Sequence, residues 1–226
     1  MDVIEAIKSR RSIRAYKKDP VSREVIQEIL DAAIRSPSGM NTQPWEFVVA
    51  TGPILEQIRE ENTRLFNEGA TPTNDMPTRP YEGIYRQRQV ALGIELFKLM
   101  GIAREDKEAR HKWTLRGFRF FEAPCEIVIC VDKKLDQPMD MIAIGSVCQS
   151  ICLAALEFDL GTCIADQGIM YDHVWRQFAH IPDTKRLVTG IAIGYPDWEF
   201  PANKLVSTRE PVDKVVTWIG WDGTDK

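Results

Sequence analysis

The chain has 226 residues, 44% of them hydrophobic and 27% charged, with a formal net charge of −4. That length and apolar share suit one large domain with a substantial core. The acidic balance argues against a general nucleic-acid binder, which needs a basic face. The charge is uneven, however: Lys8, Arg10, Arg11, Arg14, Lys17 and Lys18 are opposed near the start only by Asp2 and Glu5. A local basic site in an acidic protein suits a small anion better than a polyanion.

Asp2 to Arg10 reads as a short helix with Val3, Ile4 and Ile7 inward. Met1 to Lys8 has no unbroken apolar run of the secretory-leader kind. At the end of the helix comes Arg10-Arg11-Ser12-Ile13-Arg14. Guanidiniums present forked donors that match phosphate oxygens, and the Ser12 hydroxyl adds a neutral donor or acceptor. Arg10 and Arg14 are one helical turn apart, a spacing that lets both face one anion. Taken alone, the cluster also reads as a solvated basic helix end beside the C-terminal macrodipole.

Asp19-Pro20 breaks the chain, and Ser22 then caps a helix with Val25, Ile26, Ile29, Leu30, Ala33 and Ile34 at helical spacing. It stops near Ser36, because Pro37 follows. Ser36-Pro37-Ser38-Gly39-Met40-Asn41-Thr42-Gln43-Pro44-Trp45 is a shaped loop, rich in turn formers. A strand at Glu46–Ala50 and a helix at Pro53–Gly69 come next. Ala70–Pro80 is irregular and a candidate cover. Gly83–Met100 is helical, and Ala103–Arg119 is helical in part.

Cys125–Val131 is a core strand. Met139–Phe158 is apolar nearly all round, which predicts a helix buried on every side, with Ala143, Gly145, Ser146, Ala154 and Ala155 small enough to admit a second helix, including a twin from another subunit. Its most apolar part, Met141–Leu156, falls short of the ~18–20 residues that span a bilayer. A soluble, cytoplasmic protein without a membrane partner is expected. Gly161–Gly168 is a short strand running into a loop, Tyr171–His180 a helix, and Leu187–Tyr195 a strand closed by Pro196. The tail from Pro201 holds Arg209, Trp218 and Trp221. It is too poor in apolar residues to fold alone and should lie on its own domain or wrap a partner.

Five cysteines, Cys125, Cys130, Cys148, Cys152 and Cys163, sit mostly in apolar runs and read as buried free thiols of a reducing compartment. Neither they nor His111, His173 and His180 complete a metal-ligand spacing, so no metal is expected. No repeat or linker appears, and residues 1–226 read as one α+β domain. No Gly-x-Gly-x-x-Gly follows a strand and no Walker loop is present, which excludes the common Rossmann and P-loop nucleotide sites.

Taken together, Arg-Arg-Ser-Ile-Arg near the start, Ser-Pro-Ser-Gly-Met-Asn-Thr-Gln-Pro-Trp after the second helix, Leu160-Gly161-Thr162-Cys163, Ile193-Gly194-Tyr195-Pro196 and Arg209 before the tail resemble the FMN-dependent nitroreductase family. The resemblance spans nearly the whole chain. Tyr85…Arg88, Leu92-Gly93…Leu96-Phe97 and Gly101-Ile102-Ala103-Arg104-Glu105-Asp106 are similar to a subgroup that includes nitrobenzoate-type reductases.

The resemblance implies an antiparallel-rich central sheet flanked by helices and a homodimer with exchanged C-terminal tails and FMN at the subunit interface. It assigns Arg10, Ser12 and Arg14, with Arg11 alongside, to the flavin phosphate, ribityl chain and pyrimidine. Arg209 becomes a second phosphate contact. Pro37, Ser38, Gly39 and Asn41 match positions that reach the flavin from the other subunit, and Ile164, Ala165 and Asp166 match the segment passing its N5 edge. Several members carry Pro-Ile-Glu-Gly or Pro-Gln there instead, so the register of that segment is open by about a residue. The activity implied is ping-pong hydride transfer from NADH or NADPH through flavin N5 to a nitroaromatic, quinone or similar electron-poor acceptor, with no dedicated catalytic residue. Reductive dehalogenation of halophenols under a lid at 70–82, destruction of the flavin to form a vitamin ligand, and a non-enzymatic FMN sensor are the alternatives. Asp166 reads as a solvated turn carboxylate ahead of a proton donor, and Trp45 and Cys163 as core. Trp218 and Trp221 read as dimer anchors, and Tyr81 and Tyr85 as either core or substrate stackers.

Overall fold

Alternation within the strands builds a core on each face of the sheet. The computed structural model describes residues 2–74, 76, 79–135 and 137–220. Four strands, β1 (Glu46–Thr51), β2 (Cys125–Asp132), β3 (Gly161–Ala165) and β4 (Lys185–Gly194), run in the order β1-β2-β4-β3, each neighbour antiparallel. Glu46 lies opposite Cys130, Cys125 opposite Ile193, and Gly161 opposite Gly194. On one face Cys125, Ile127, Ile129 and Val131 pack with Ile191 and Ile193 against helices α2 (Arg23–Ala33) and α6 (Pro138–Ala154). On the other, Val128, Cys130, Ala192 and Leu187 meet α3 (Gly52–Asn67), α5 (Lys107–Phe118) and α7 (Asp172–Ala179). Helices α1 (Val3–Ser9) and α4 (Gly83–Leu99) lie outside these layers. The elements therefore fall where apolar periodicity and the Ser22 and Pro37 signals put them. The Ser22 hydroxyl accepts from Val25 N–H at 3.3 Å, and Trp45 and all five cysteines are buried.

Burial differs from expectation on three helices. Val3, Ile4 and Ile7 of α1 point outward, and α4 buries no residue within the chain. Helix α6 is not covered on every side either. Its inner stripe, Ala143, Ile144, Val147, Cys148, Ile151 and Cys152, packs on the sheet, whereas Met139, Ile142 and Gly145 are exposed. The helical run Pro138–Phe158 is also longer than its most apolar part: at 21 residues it is long and apolar enough to cross a membrane by length and composition. The seating of its inner face on β2 and β4 is that of a core helix. Tyr81, Tyr85 and Trp218 are exposed, and Trp221 lies outside the described residues.

Behind the sheet, Phe120, Phe121 and Glu122 all have φ between 53° and 62°, a left-handed run that costs non-glycine residues about 1–2 kcal/mol each. Arg59 holds it from both sides, donating to Arg119 O and Ala123 O, while Phe120 packs edge-on against Trp175. Gly168 takes the Phe120 ring where a Cβ would lie 1.7 Å from Cε1.

Glu126 is the buried acid of β2. Its carboxyl fills the space left by Gly190, and burial pushes it well above the ordinary carboxylate range, partly opposed by Arg59. The folded chain thus keeps a proton that the unfolded chain releases above about pH 4.5. This contribution is complete below that pH and is lost as pH rises toward the raised folded value, by up to about 1.4 kcal/mol per unit. Glu126→Gln removes that slope. Urea unfolding across pH 6 to 8, roughly the working range, should show the wild type losing stability relative to E126Q. Parallel profiles would contradict a neutral Glu126.

Candidate active site

The Arg10–Arg14 stretch is not helical. Helix α1 ends at Ser9, and Arg10 leaves it with φ −53° and ψ 132°. From there to Lys17 the chain runs extended beside β3: Ile13 N–H donates to Thr162 O at 2.9 Å, Ser12 bridges Thr162 in parallel, and Lys17 N–H donates to Tyr195 O at 2.8 Å. The close approach needs Gly161, since a Cβ there would sit 2.5 Å from Ile13 Cγ1 and 2.8 Å from the Pro196 ring. Extended backbone alternates its side chains with period two. Ile13 and Ala15 go inward, and Arg10, Ser12 and Arg14 share the other parity on an extended segment, not on a helical turn; of the three only Arg10 lines a cavity beside Arg11. Arg11, of opposite parity, lies over Trp198 at 5.4 Å and reaches Asn203 O at 3.5 Å.

Asn203 fastens this stretch. Fully buried, its Oδ1 accepts from Arg14 N–H at 2.6 Å, and its Nδ2 donates to Ala15 O at 2.8 Å and Asp197 O at 2.7 Å. The Arg14 carbonyl accepts from Arg116 Nη2 at 3.0 Å, and Arg14 Nη1 donates to Ser12 O at 3.3 Å. Arg10 Nε is buried with no acceptor among the described residues. Arg10 and Arg11 line a cavity of about 280 Å³ with Thr162 and Trp198. Burial pushes the neighbouring Cys163 thiol up to about 11, so it stays protonated and is no nucleophile at neutral pH.

The bridge to Thr162 brings the arginines to the same sheet edge as Ile164, Ala165 and Asp166, at the end of β3. Ile164 and Asp166 are exposed and Ala165 is half-buried, and Thr189 Oγ1 donates to Asp166 Oδ1 at 2.8 Å. Gln167 is seated against α5: a Cβ on Gly117 would lie 2.0 Å from Gln167 Oε1.

The loop holding Pro37, Ser38, Gly39 and Asn41 is not brought to that edge within the chain. Ser36 Oγ meets Ser150 Oγ at 2.7 Å, and Gly39 faces Met139 at the start of α6. The arginine cavity instead reaches Leu156, past the far end of the helix. At 1.5 Å per residue, about 25 Å of helix separates Met139, beside Gly39, from Leu156, and about 9 Å separates Ser150, beside Ser36, from it. Left-handed Met40, Asn41 and Gln43 shape the loop, and Ser38 Oγ accepts from Gln43 N–H at 3.0 Å. Arg209 is also elsewhere: it curls onto Ser207 and Thr208 and lines a different cavity, beside Arg88 of α4. Asn203, Arg116 and Trp198 carry no sequence signal. Their importance comes from contacts across the fold.

Residues 7–195 match the nitroreductase family. The chain belongs to that family. Among its relatives, a 4-nitrobenzoate reductase of Nocardioides sp. (strain LMS-CY) is 29% identical over 97% of this chain and 90% of its own length. A Thermus thermophilus protein named NADH dehydrogenase is 46% identical over 96% of both. The crystal structure of the FMN and NADPH-dependent nitroreductase NfnB from Sphigopyxis sp. strain HMH superposes with a TM-score of 0.90 at 30% identity, covering 98% of this chain and all of that one. The helix-flanked antiparallel sheet of this nitroreductase family member is thus the family's fold.

Proposed function

We propose that this nitroreductase family member is an FMN-dependent NAD(P)H oxidoreductase that reduces nitroaromatic or similarly electron-poor acceptors. The observation that carries the reading is the buried Arg10 Nε without an acceptor, on a stretch held rigidly beside β3. A desolvated guanidinium N–H without a partner is costly, and an oxyanion satisfies it. The site residues fit the cofactor on that ground.

Arg10 binds the flavin phosphate, Ser12 the ribityl hydroxyls, and Arg14 the pyrimidine edge, with the backbone of Ile164, Ala165 and Asp166 along N5. FMN supplies the hydride chemistry between NADH or NADPH and the acceptor. The positive charge of Arg14 favours the anionic reduced ring, as preorganised charge does wherever negative charge develops. Pro37, Ser38, Gly39 and Asn41 come from a second copy, and Arg209 gives a further phosphate contact. Support for a dimer is that Gly39 meets Met139 at the opposite end of α6 from Leu156 and the arginine cavity. The exposed apolar residues of α1, α4, the α6 stripe and the tail, among them Ile4, Ile94, Ile142 and Trp218, add to it. A partner's tail exchanged onto this chain is part of the same reading.

The test is a pair of anaerobic half-reactions. NADH or NADPH should bleach the bound flavin, and 4-nitrobenzoate should restore its colour. A flavin that stays oxidised with both nucleotides would sink the enzyme reading in favour of a sensor. Reoxidation by iodotyrosine and not by nitroarenes would favour dehalogenation.

A further inference from the structure

Arg116 stands at the C-terminal turn of α5, in a segment rich in charge, with nothing in its spacing to mark it. Its Nη2 donates to the Arg14 carbonyl at 3.0 Å, and its guanidinium lies 4.7 Å over the Phe200 ring. Its Nε is buried without an acceptor, and among the described residues no carboxylate is in ion-pair contact with it. The neighbouring Arg119, by contrast, is paired with both Glu56 and Glu122. Burial lowers the Arg116 pKa, yet an arginine so placed remains cationic at neutral pH. The π-face of Phe200, one carbonyl dipole and the nearby Glu122 charge are what offset its desolvation.

Position makes this cation more than a packing residue. With Asn203 on the Arg14 N–H and Arg116 on the Arg14 C=O, both backbone polar groups of Arg14 are tied by side chains from distant segments. The next residue, Gly117, gives its Cβ space to the Gln167 carboxamide. Successive residues of α5 therefore grip the two stretches that meet at the sheet edge, Arg10–Arg14 and Ala165–Gln167.

We infer that Arg116 is a positioning residue of the flavin site, fixing the Arg14 backbone and adding behind Arg14 a positive charge, free of any direct ion pair among the described residues, that favours the reduced flavin. This rests on the FMN reading above. If that reading is wrong, the wild-type chain takes up no FMN and the variants have nothing to alter.

Given a flavin-binding wild type, two substitutions separate the charge from the positioning. Arg116→Gln removes the charge, whereas Arg116→Lys keeps it and loses the planar fork that reaches Arg14 O and stacks on Phe200. The readouts are the midpoint potential of the bound flavin by spectroelectrochemical titration, its dissociation constant by fluorescence quenching, and the melting temperature of the apoprotein. Both variants should bind FMN about tenfold more weakly, the effect of losing one charge-assisted hydrogen bond. R116Q should have a more negative midpoint than wild type, and R116K a wild-type midpoint. Should R116Q fail to fold, Arg116→Met, which keeps aliphatic packing on Phe200, takes its place. A wild-type midpoint in the uncharged variant overturns the electrostatic role, and wild-type affinity in R116K overturns the positioning role.

Discussion

Asn203→Ala should destabilise the apoprotein by about 2–4 kcal/mol, since a buried polar group left unpaired costs about 1–3 kcal/mol and an ordinary hydrogen bond lost about 0.5–1.5 kcal/mol. Arg14 N–H loses its partner, whereas Ala15 C=O and Asp197 C=O each lose one of two, still accepting from the backbone N–H of Asp197 and Phe200. Against a total stability of about 5–15 kcal/mol for a domain, that is a large share. Asn203→Asp should be no better, because a carboxylate has no N–H to give the two carbonyls. Urea denaturation of the apoprotein measures the loss, and a change under about 1 kcal/mol would mean that water replaces the amide at little cost. A second consequence follows from geometry. With Asn203 gone, the Arg14 N–H has lost its tie and the segment rests on Arg116 and on its neighbours' backbone bonds to Thr162, Tyr195 and Asp197, so flavin retention should fall as well.

Arg10→Met should act in the opposite sense on stability. The apoprotein keeps or gains stability, because the substitution removes a desolvated donor that no described residue satisfies while retaining an aliphatic stem. FMN affinity nevertheless drops about 10–150-fold, the equivalent of the roughly 1.5–3 kcal/mol of a hydrogen bond to a charged group. Equilibrium binding to the apoprotein, paired with its melting temperature, separates the two effects. Unchanged affinity would show that the phosphate is held elsewhere. A matching loss of stability and affinity would make Arg10 a structural residue.

Much of this arrangement was legible before any coordinates. Apolar periodicity and the Ser22 and Pro37 signals located the helices and strands. The motif set led to the family, because the Arg10–Arg14 cluster, the Ser36–Trp45 loop and Leu160-Gly161-Thr162-Cys163 occur together in one chain in the order the resemblance requires. Three things were not legible, each for a physical reason. The first is the conformation of Arg10–Arg14: its spacing fits a helical turn as well as an extended face, and only the bridge to Thr162 decides. The second is which apolar faces are covered. Val3, Ile4 and Ile7 have core-like spacing but lie where this chain has nothing to put over them, and the outer stripe of α6 is in the same position. Periodicity states that a face must be covered and not by whose residues. The third is the supporting set, Asn203, Arg116 and Trp198, whose value lies in contacts made across most of the chain's length. Local sequence carries no trace of such contacts.

The central claim is a flavin phosphate held by Arg10 on an extended edge segment, in a pocket that a second chain completes. Native mass spectrometry of the purified protein, after incubation with FMN and removal of the excess, tests both halves at once. The account predicts a complex of two chains and two FMN molecules, with the flavin lost from Arg10→Met at concentrations where the wild type retains it. A single chain carrying one firmly bound FMN, or a dimer that takes up none, would contradict it.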